Sequence, residues 1–207
     1  MSGARSTDWG AYYRRRSSWI TRYTRKIITR FFLSRLIRYQ PSKKEMIIAE
    51  LGAYRSLFYS PITQQFPLSQ YHVVDNHHPD NPNLGKDLVY HHKSILDLEK
   101  GYLEADVVLS VGLIEHFGEK TLEAIDAHFK IAKPGGIVII SFPTPTLTYK
   151  ITRYFLEITG AWIFHDEVPL TIEDVRNKAS AYGNILETQR LWALPLTQAV
   201  IVFQVKI

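Results

Sequence analysis

The sequence predicts an α/β sandwich, a mostly parallel sheet with helices on both faces. Three observations carry that expectation. Residues 46–52, 105–111 and 136–142 are near-continuous apolar runs, the mark of strands covered on both faces. The stretches between strands space their apolar residues at helical intervals. The chain ends in two strand-like segments, 184–206, around Ala193-Leu194-Pro195-Leu196, which read as an antiparallel hairpin closing the sheet.

Residues 17–39 come first, SSWITRYTRKIITRFFLSRLIRY. Trp19, Ile20, Tyr23, Ile27, Ile28, Phe31 and Leu36 recur at three- and four-residue steps, with Arg22, Arg25, Lys26, Arg30 and Arg38 mostly between them. That is the period of an amphipathic helix, capped by Ser17 or Ser18 and ended by Pro41. Ahead of it, Asp8-Trp9-Gly10-Ala11-Tyr12-Tyr13 is either a lid over a pocket or an anchor for the chain end. Strands follow at 46–52, at 71–75 ending on an acid, at 88–92, at 105–111 and at 136–142. Helices are expected over 119–132, 147–159 and 171–182. In the first of these, Leu122, Ile125, Ala127, Phe129 and Ala132 sit among charged neighbours. Lys133-Pro134-Gly135-Gly136 reads as the loop that stops this helix and starts strand five.

The 207 residues suit one domain with or without an appendage. A composition of 45% hydrophobic and 22% charged residues is that of a globular protein. The absence of cysteine excludes a disulfide scaffold, a thiolate metal site and cysteine catalysis. No apolar run reaches the roughly 18 residues of a spanning helix, and the first residues lack the apolar core of a secretory signal. A cytoplasmic protein is expected.

The formal net charge of +5 is unevenly spread. Residues 1–45 hold 12 of the 25 Lys+Arg and two of the 20 Asp+Glu. The chain thus reads as a basic helical arm or lid, 1–44, on a mildly acidic body, 45–207. The arm either packs on the body or lies on an anionic membrane surface. No nucleic-acid-binding signature accompanies its charge, so a nucleic-acid partner is not expected.

Ligands of open parallel sheets lie beyond the carboxyl ends of the strands. Here those ends carry Glu50-Leu51-Gly52, Asp75-Asn76, Ser94 to Asp97, Ser110 to His116 and Phe142 to Pro145. A glycine after strand one lets backbone approach a ligand. Asp75, 23 residues beyond Gly52, suits a carboxylate accepting both hydroxyls of a ribose, or else a turn residue ending its strand.

The order Glu50-Leu51-Gly52, Asp75, Ser94-Ile95-Leu96-Asp97-Leu98, Asp106 to Ser110 with Glu115-His116, then Lys133-Pro134-Gly135-Gly136, resembles the class I S-adenosylmethionine-dependent methyltransferases over residues 45–206. The early Trp-x-x-Tyr-Tyr and the basic helix are loosely similar to small members associated with surface-polysaccharide synthesis. The resemblance implies a Rossmann-like seven-stranded sheet in the order 3-2-1-4-5-7-6, with strand seven antiparallel. It implies S-adenosylmethionine as cofactor. Glu50 would organise the first loop and reach the methionyl amino group, and Gly52 and Ala53 would offer backbone. Asp75 would bind the ribose, with Asn76 near the adenine, Ser94 and Ile95 bordering it, and Ser110, Val111 and Gly112 lining the methionine side. The sequence departs from the family in its first loop, where Ala53-Tyr54-Arg55-Ser56 stands in place of a glycine-rich run, and at Ser94, where an acid is common.

Methyl transfer mainly needs alignment of the nucleophile. A hydroxyl or amine must also lose a proton, which calls for a general base. His116 is the candidate, with Glu115 second. The alternative is that His116 only packs there and Glu115 is structural or cofactor-adjacent. No metal site is expected, since neighbours His91 and His92 would face opposite ways on a strand and His77-His78 precede a polar loop. His165-Asp166-Glu167 would touch substrate or be plain surface loop. Phe142 to Pro145, with Tyr149, Arg153, Tyr154, Trp162 and Phe164, would wall the pocket. The acceptor would be a small molecule or a glycan, free or lipid-linked, with peripheral membrane contact through residues 17–39. The rival readings are a catalytically inactive binding or scaffold protein of the same fold and, last, a nicotinamide-dependent oxidoreductase, for which the Gly-x-Gly-x-x-Gly turn is missing.

Overall fold

The computed structural model describes residues 7–14, 19–40, 45–77, 85–193 and 196–207. Among the described residues seven strands form one sheet: β1 (Met46–Leu51), β2 (Leu68–Asp75), β3 (Leu88–His92), β4 (Ala105–Val111), β5 (Ala132–Pro143), β6 (Gly183–Ala193) and β7 (Leu196–Val205). Their order is β3-β2-β1-β4-β5-β7-β6. The pairings are parallel except that β7 runs antiparallel to both β5 and β6. The expected order and the antiparallel hairpin are both observed.

Alternation along each strand supplies two buried faces. Val108 of β4 and Val138 and Ile140 of β5 turn to one side. There α4 (Thr121–Lys130) and α6 (Ile172–Ala179) cover them with Ala124, Ile125, Phe129, Val175 and Ala179. Val107 and Leu109, with Ile137 and Ile139, turn to the other side. There α2 (Trp19–Tyr39) and α3 (Tyr59–Thr63) lay Ile28, Phe31, Phe32, Leu36 and Ile62 over them. The near-continuous apolar runs of the sequence are the trace of this double covering.

Helix α2 forms over the expected residues, but its apolar and polar residues are only weakly segregated and its apolar ones are used unevenly. Phe32 and Leu36 are buried, Ile28 and Phe31 nearly so, whereas Trp19 and Tyr23 near its start are exposed. Its basic side is anchored by Arg35, which pairs with Glu187 of β6, and by the Tyr39 hydroxyl donating to the same carboxylate at 2.9 Å. The caps expected at Ser17 or Ser18 and the stop at Pro41 lie outside the described residues, as do Leu194 and Pro195 of the hairpin.

Four elements differ from the sequence reading. The Lys133–Gly136 loop is enclosed within β5, because Ala132 already pairs with Ala105 before the register shifts to Val107 and Ile137. Helix α6 stops at Ala179 rather than 182; its start is set by a reciprocal Thr171–Asp174 capping box. Two short helices add to the expected set, α1 (Trp9–Arg14) and α3, each too brief to show a helical period. Helix α5 (Leu147–Ile158) leaves β5, its N-terminus capped by Thr146 accepting from the Tyr149 N–H.

The chain passes from β1 outward to β2 and β3, then returns to the other flank of β1 for β4. This reversal opens a crevice at the carboxyl ends of β1 and β4.

Candidate active site

Glu50 is the penultimate residue of β1 and is buried. Ser56 Oγ and the Tyr71 hydroxyl, the latter at 2.7 Å, both donate to its Oε2. Burial pushes its carboxyl up to about 7, the negative charge of Asp75 adding to the effect against those two donors. Gly52, just past β1, has φ +67°, and its N–H donates to the Val74 carbonyl at 2.8 Å. A Cβ at that position would lie 2.4 Å from Leu113 Cδ1, a side-chain end that can shift, so it is the left-handed backbone that calls for glycine here.

The glycine-poor loop has a structural answer. Tyr54 adopts φ +41°, a left-handed conformation uncommon outside glycine. The chain therefore follows a glycine-like path while carrying a side chain. The Tyr54 N–H donates to Asp75 Oδ2 at 2.8 Å, and the His77 N–H donates to Asp75 Oδ1 at 2.7 Å. Burial raises the Asp75 carboxyl, and these two N–H groups oppose it. A carboxylate has about four lone-pair sites, so acceptor capacity remains for ligand hydroxyls. Ser56, besides binding Glu50, accepts the N–H groups of Phe58 and Tyr59 and so starts α3.

The other expected residues are distributed as follows. Ala53 is half-buried against the α2 side of the core. Asn76 is exposed, and its carbonyl accepts from His92 Nε2 at 2.8 Å. Ser94 starts a single 3-10 turn by accepting the Leu96 N–H, and Ile95 beside it is buried. Ser110 is turned away from the crevice. Its hydroxyl meets His128 Nε2 of α4 at 2.8 Å, while His128 Nδ1 donates to the Ala124 carbonyl. Burial pushes His128 down to about 4, so the imidazole is neutral and accepts from Ser110. Val111 is half-buried, and Gly112, with φ +64°, donates its N–H to the Ser141 carbonyl.

Glu115 and His116 follow on the next turn, 114–116, and meet residues far along the chain. His116 Nδ1 donates to Asp166 Oδ1 at 2.8 Å, and its Nε2 lies 4.0 Å from Glu115 Oε1. Glu115 is 1% exposed, and burial, reinforced by the charges of Glu167 and Asp166, holds its carboxyl well above the usual range. Glu167 is also buried and accepts from the Tyr149 hydroxyl. Arg153 donates to the Tyr149 hydroxyl and to the Glu167 carbonyl, both at 3.1 Å. Asp166 is partly desolvated, which disfavours its charge, yet the bonds from Thr7 and His116 outweigh this and hold it below the usual range. Burial lowers His116, with Asp166 opposing, so a neutral ring faces an ionised carboxylate.

The segment ahead of α2 lies across both groups. Thr7 Oγ1 donates to Asp166. The Trp9 ring meets His116 edge-on, centroids 4.8 Å apart. Tyr13 stacks on Tyr54 at 3.8 Å with planes 13° apart. Tyr13 is half-buried, and its phenol is raised by that burial and then by the nearby charge of Asp75. Phe164 packs against Trp9, Tyr12 and Trp162, extending the same wall.

Sequence reasoning located the strand-end residues but missed the long-range partners. Nothing in the spacing signals that Asp166, 50 residues on, orients His116, or that Tyr71 serves Glu50. His165 is exposed, whereas its neighbours Asp166 and Glu167 turn inward. Of the expected wall, Tyr149, Trp162 and Phe164 take part, Phe142 belongs to the core, and Tyr154 is exposed. His91 contacts His72 across strands, Nε2 to Nδ1 at 2.8 Å. Residues 78–83, with the second histidine of the 77–78 pair and its polar loop, lie outside the described residues.

No protein-family model and no curated protein matches the chain in sequence. Solved structures do match in fold. Magnesium protoporphyrin IX methyltransferase from Synechocystis PCC 6803, with bound S-adenosylhomocysteine, superposes with a TM-score of 0.70 at 12% identity, covering 96% of this chain and 93% of that one. The N-methyltransferase NodS from Bradyrhizobium japonicum WM9, in complex with the same product, gives 0.62 at 13%, covering 98% and 93%. The 1,6-didemethyltoxoflavin-N1-methyltransferase from Burkholderia thailandensis gives 0.61 at 13%, covering 93% of each chain. Identities this low establish a common fold, that of the class I methyltransferases, and the chemistry has to be argued from this chain's own residues.

Proposed function

We propose that this protein moves a methyl group from S-adenosylmethionine to a hydroxyl or amine of a small molecule or glycan. The observation that carries the reading is the placement of Glu50, Gly52 and Asp75 at the carboxyl ends of adjacent strands, at the β1/β4 crevice of a methyltransferase fold. The residues suit the cofactor. Among the described residues Glu50 is a buried carboxyl without a cationic partner in its hydrogen-bond set, fitting an ammonium group. Asp75 retains lone pairs for two ribose hydroxyls, and Gly52 leaves bare backbone beside both. The cofactor supplies a methyl carbon activated by its sulfonium sulfur.

The chain's own contribution is position and exclusion of water. Tyr54 and Asp75 brace the sugar side. Tyr13 and Trp9 of α1 close over the crevice, giving the short α1 segment the role of a lid, while α2 is a covering layer of the catalytic domain. In this reading the acceptor lies against Glu115 and His116, on the Trp9 side of the crevice. It must shed a proton, and the Glu115–His116–Asp166–Glu167 cluster is the polar group set on that side. A lipid-linked acceptor is supported by α5, whose Leu147, Ile151, Tyr154, Phe155 and Ile158 form a stripe in which even the least exposed, Ile151, is 48% accessible. Among the described residues no helix is long and apolar enough to cross a membrane, so such a contact would be peripheral.

Calorimetry with S-adenosylhomocysteine tests the reading. Saturable binding is expected, weakened on the order of 100-fold by Asp75→Ala, which removes charge-assisted bonds to two hydroxyls. An intact protein that binds neither the cofactor nor this product refutes it.

A further inference from the structure

Among the described residues, Glu115 Oε2 is a buried side-chain oxygen that has no hydrogen-bond partner. A buried carboxyl oxygen in that state costs free energy whether or not it carries a proton, so the atom marks a place where something else binds. Its surroundings say what. Among the described residues, Glu115, His116 and Glu167 each offer one ligand atom, and the three atoms lie within 4.8 Å of one another. Three carboxylates, counting Asp166, converge there. The nearby cation, Arg153, directs its hydrogen bonds to the Tyr149 hydroxyl, the Glu167 main-chain carbonyl and Glu157. Among the described residues Arg153 is the cation whose charge acts on Glu167, against three carboxylates.

The imidazole is set up as a ligand. His116 Nδ1 donates to Asp166, which leaves Nε2 with its lone pair on the side of Glu115. A carboxylate holding the far nitrogen of a histidine is the usual outer support of a metal-bound imidazole. Thr7 steadies Asp166, the support of the imidazole, and the Tyr149 hydroxyl steadies Glu167.

We infer that Glu115, His116 and Glu167 bind a divalent transition-metal cation beside the acceptor. One nitrogen and two oxygens suit Mn2+, Co2+ or Zn2+ better than Ca2+, which wants six or more oxygens. Three protein ligands leave positions open for water or an acceptor oxygen. A hydroxyl bound there becomes more acidic and releases its proton to water, which selects an oxygen nucleophile over a protonated amine. His116 then acts as a ligand rather than a free base. The cation site stands on the cluster's geometry, and its catalytic meaning rests on the methyltransferase reading.

The test is a Co2+ titration of the full chain after chelator treatment, read by visible d–d absorption, with S-adenosylhomocysteine calorimetry on the same metal-free sample. One Co2+ per chain is expected, with tetra- or pentacoordinate intensity. Glu115→Gln and Glu167→Gln should each weaken it more than 100-fold, and Asp166→Asn, acting through His116, on the order of 10–100-fold. In the unaltered chain, substoichiometric Mn2+ should selectively broaden the His116 ring resonances, a readout that needs no variant to fold. Absence of Co2+ binding, binding indifferent to both glutamine variants, or broadening confined to exposed histidines such as His165 overturns the inference. Product binding without Co2+ binding would sink the cation site and leave the methyltransferase reading standing. Co2+ binding without product binding would do the reverse.

Discussion

Replacing Glu50 by glutamine isolates one buried proton. In the native protein this carboxyl is pushed from 4.5 up to about 7, whereas in the unfolded chain it returns to the lower value. Between those values the native state holds a proton that the unfolded state has lost, so stability falls as pH rises through the window. The loss is about 2 kcal/mol by pH 6 and about 3 kcal/mol by pH 8, from the 1.36 kcal/mol carried by each pKa unit. The substituted amide keeps an oxygen that accepts from Ser56 and Tyr71, and it does not titrate. The charged or titratable groups facing the site are Asp75, Tyr71 and Tyr90. His128 and His72, both pushed down to about 4 by burial, act in the opposite sense, losing stability as pH falls below their unfolded value of 6.5. They are common to both proteins, so the quantity to read is the difference. Urea unfolding of the unaltered chain and of Glu50→Gln from pH 4.5 to 8 should show the variant gaining about 3 kcal/mol relative to the parent across the range. A constant offset from new amide contacts is allowed. A difference that does not change with pH refutes the buried, uncompensated carboxyl.

The cofactor reading adds a corollary: product binding at pH 6 should release a proton from Glu50 as an ammonium arrives, seen as a binding enthalpy that varies with the buffer's ionisation enthalpy. Gly52→Ala should cost about 1–3 kcal/mol and weaken product binding, since it combines a left-handed φ with a Cβ 2.4 Å from Leu113; urea midpoints and calorimetry check both. Phe32→Ala, fully buried against Phe58, should cost about 3–5 kcal/mol in urea, whereas a helix held only loosely on the body would lose little. If the α5 stripe meets lipid, Phe155→Ser with Ile158→Ser should abolish co-sedimentation with anionic vesicles while leaving the unfolding midpoint within about 0.5 kcal/mol of the parent.

The fold was legible because its cues are local. Val107 to Leu109 and Ile137 to Ile140 are apolar on both sides of the pleat, and only strands covered twice are written that way. Strand ends are local too, which is why Glu50, Gly52 and Asp75 stood out. Ser110 shows the limit. Its position after an apolar run pointed to the crevice, yet its hydroxyl is taken by His128 on the covering helix. The glycine-poor loop shows a related limit: residue type reports what conformation is easy, and Tyr54 occupies a left-handed one that the bonded Asp75 carboxylate helps to hold.

The amino-acid sequence by itself determined the strand runs, the two-sided core, the helical period of α2 and the acids and glycine at the strand ends. Each depends on residues close together in the chain. Tertiary structure alone decided which groups share a site. Asp166 and Glu167 reach His116 and Glu115 across 50 residues, and Trp9 and Tyr13 reach His116 and Tyr54 from the other end of the chain. Periodicity carries no record of such encounters, because they follow from the turn of the sheet at β1 and β4 and from the packing that folds distant segments over its edge.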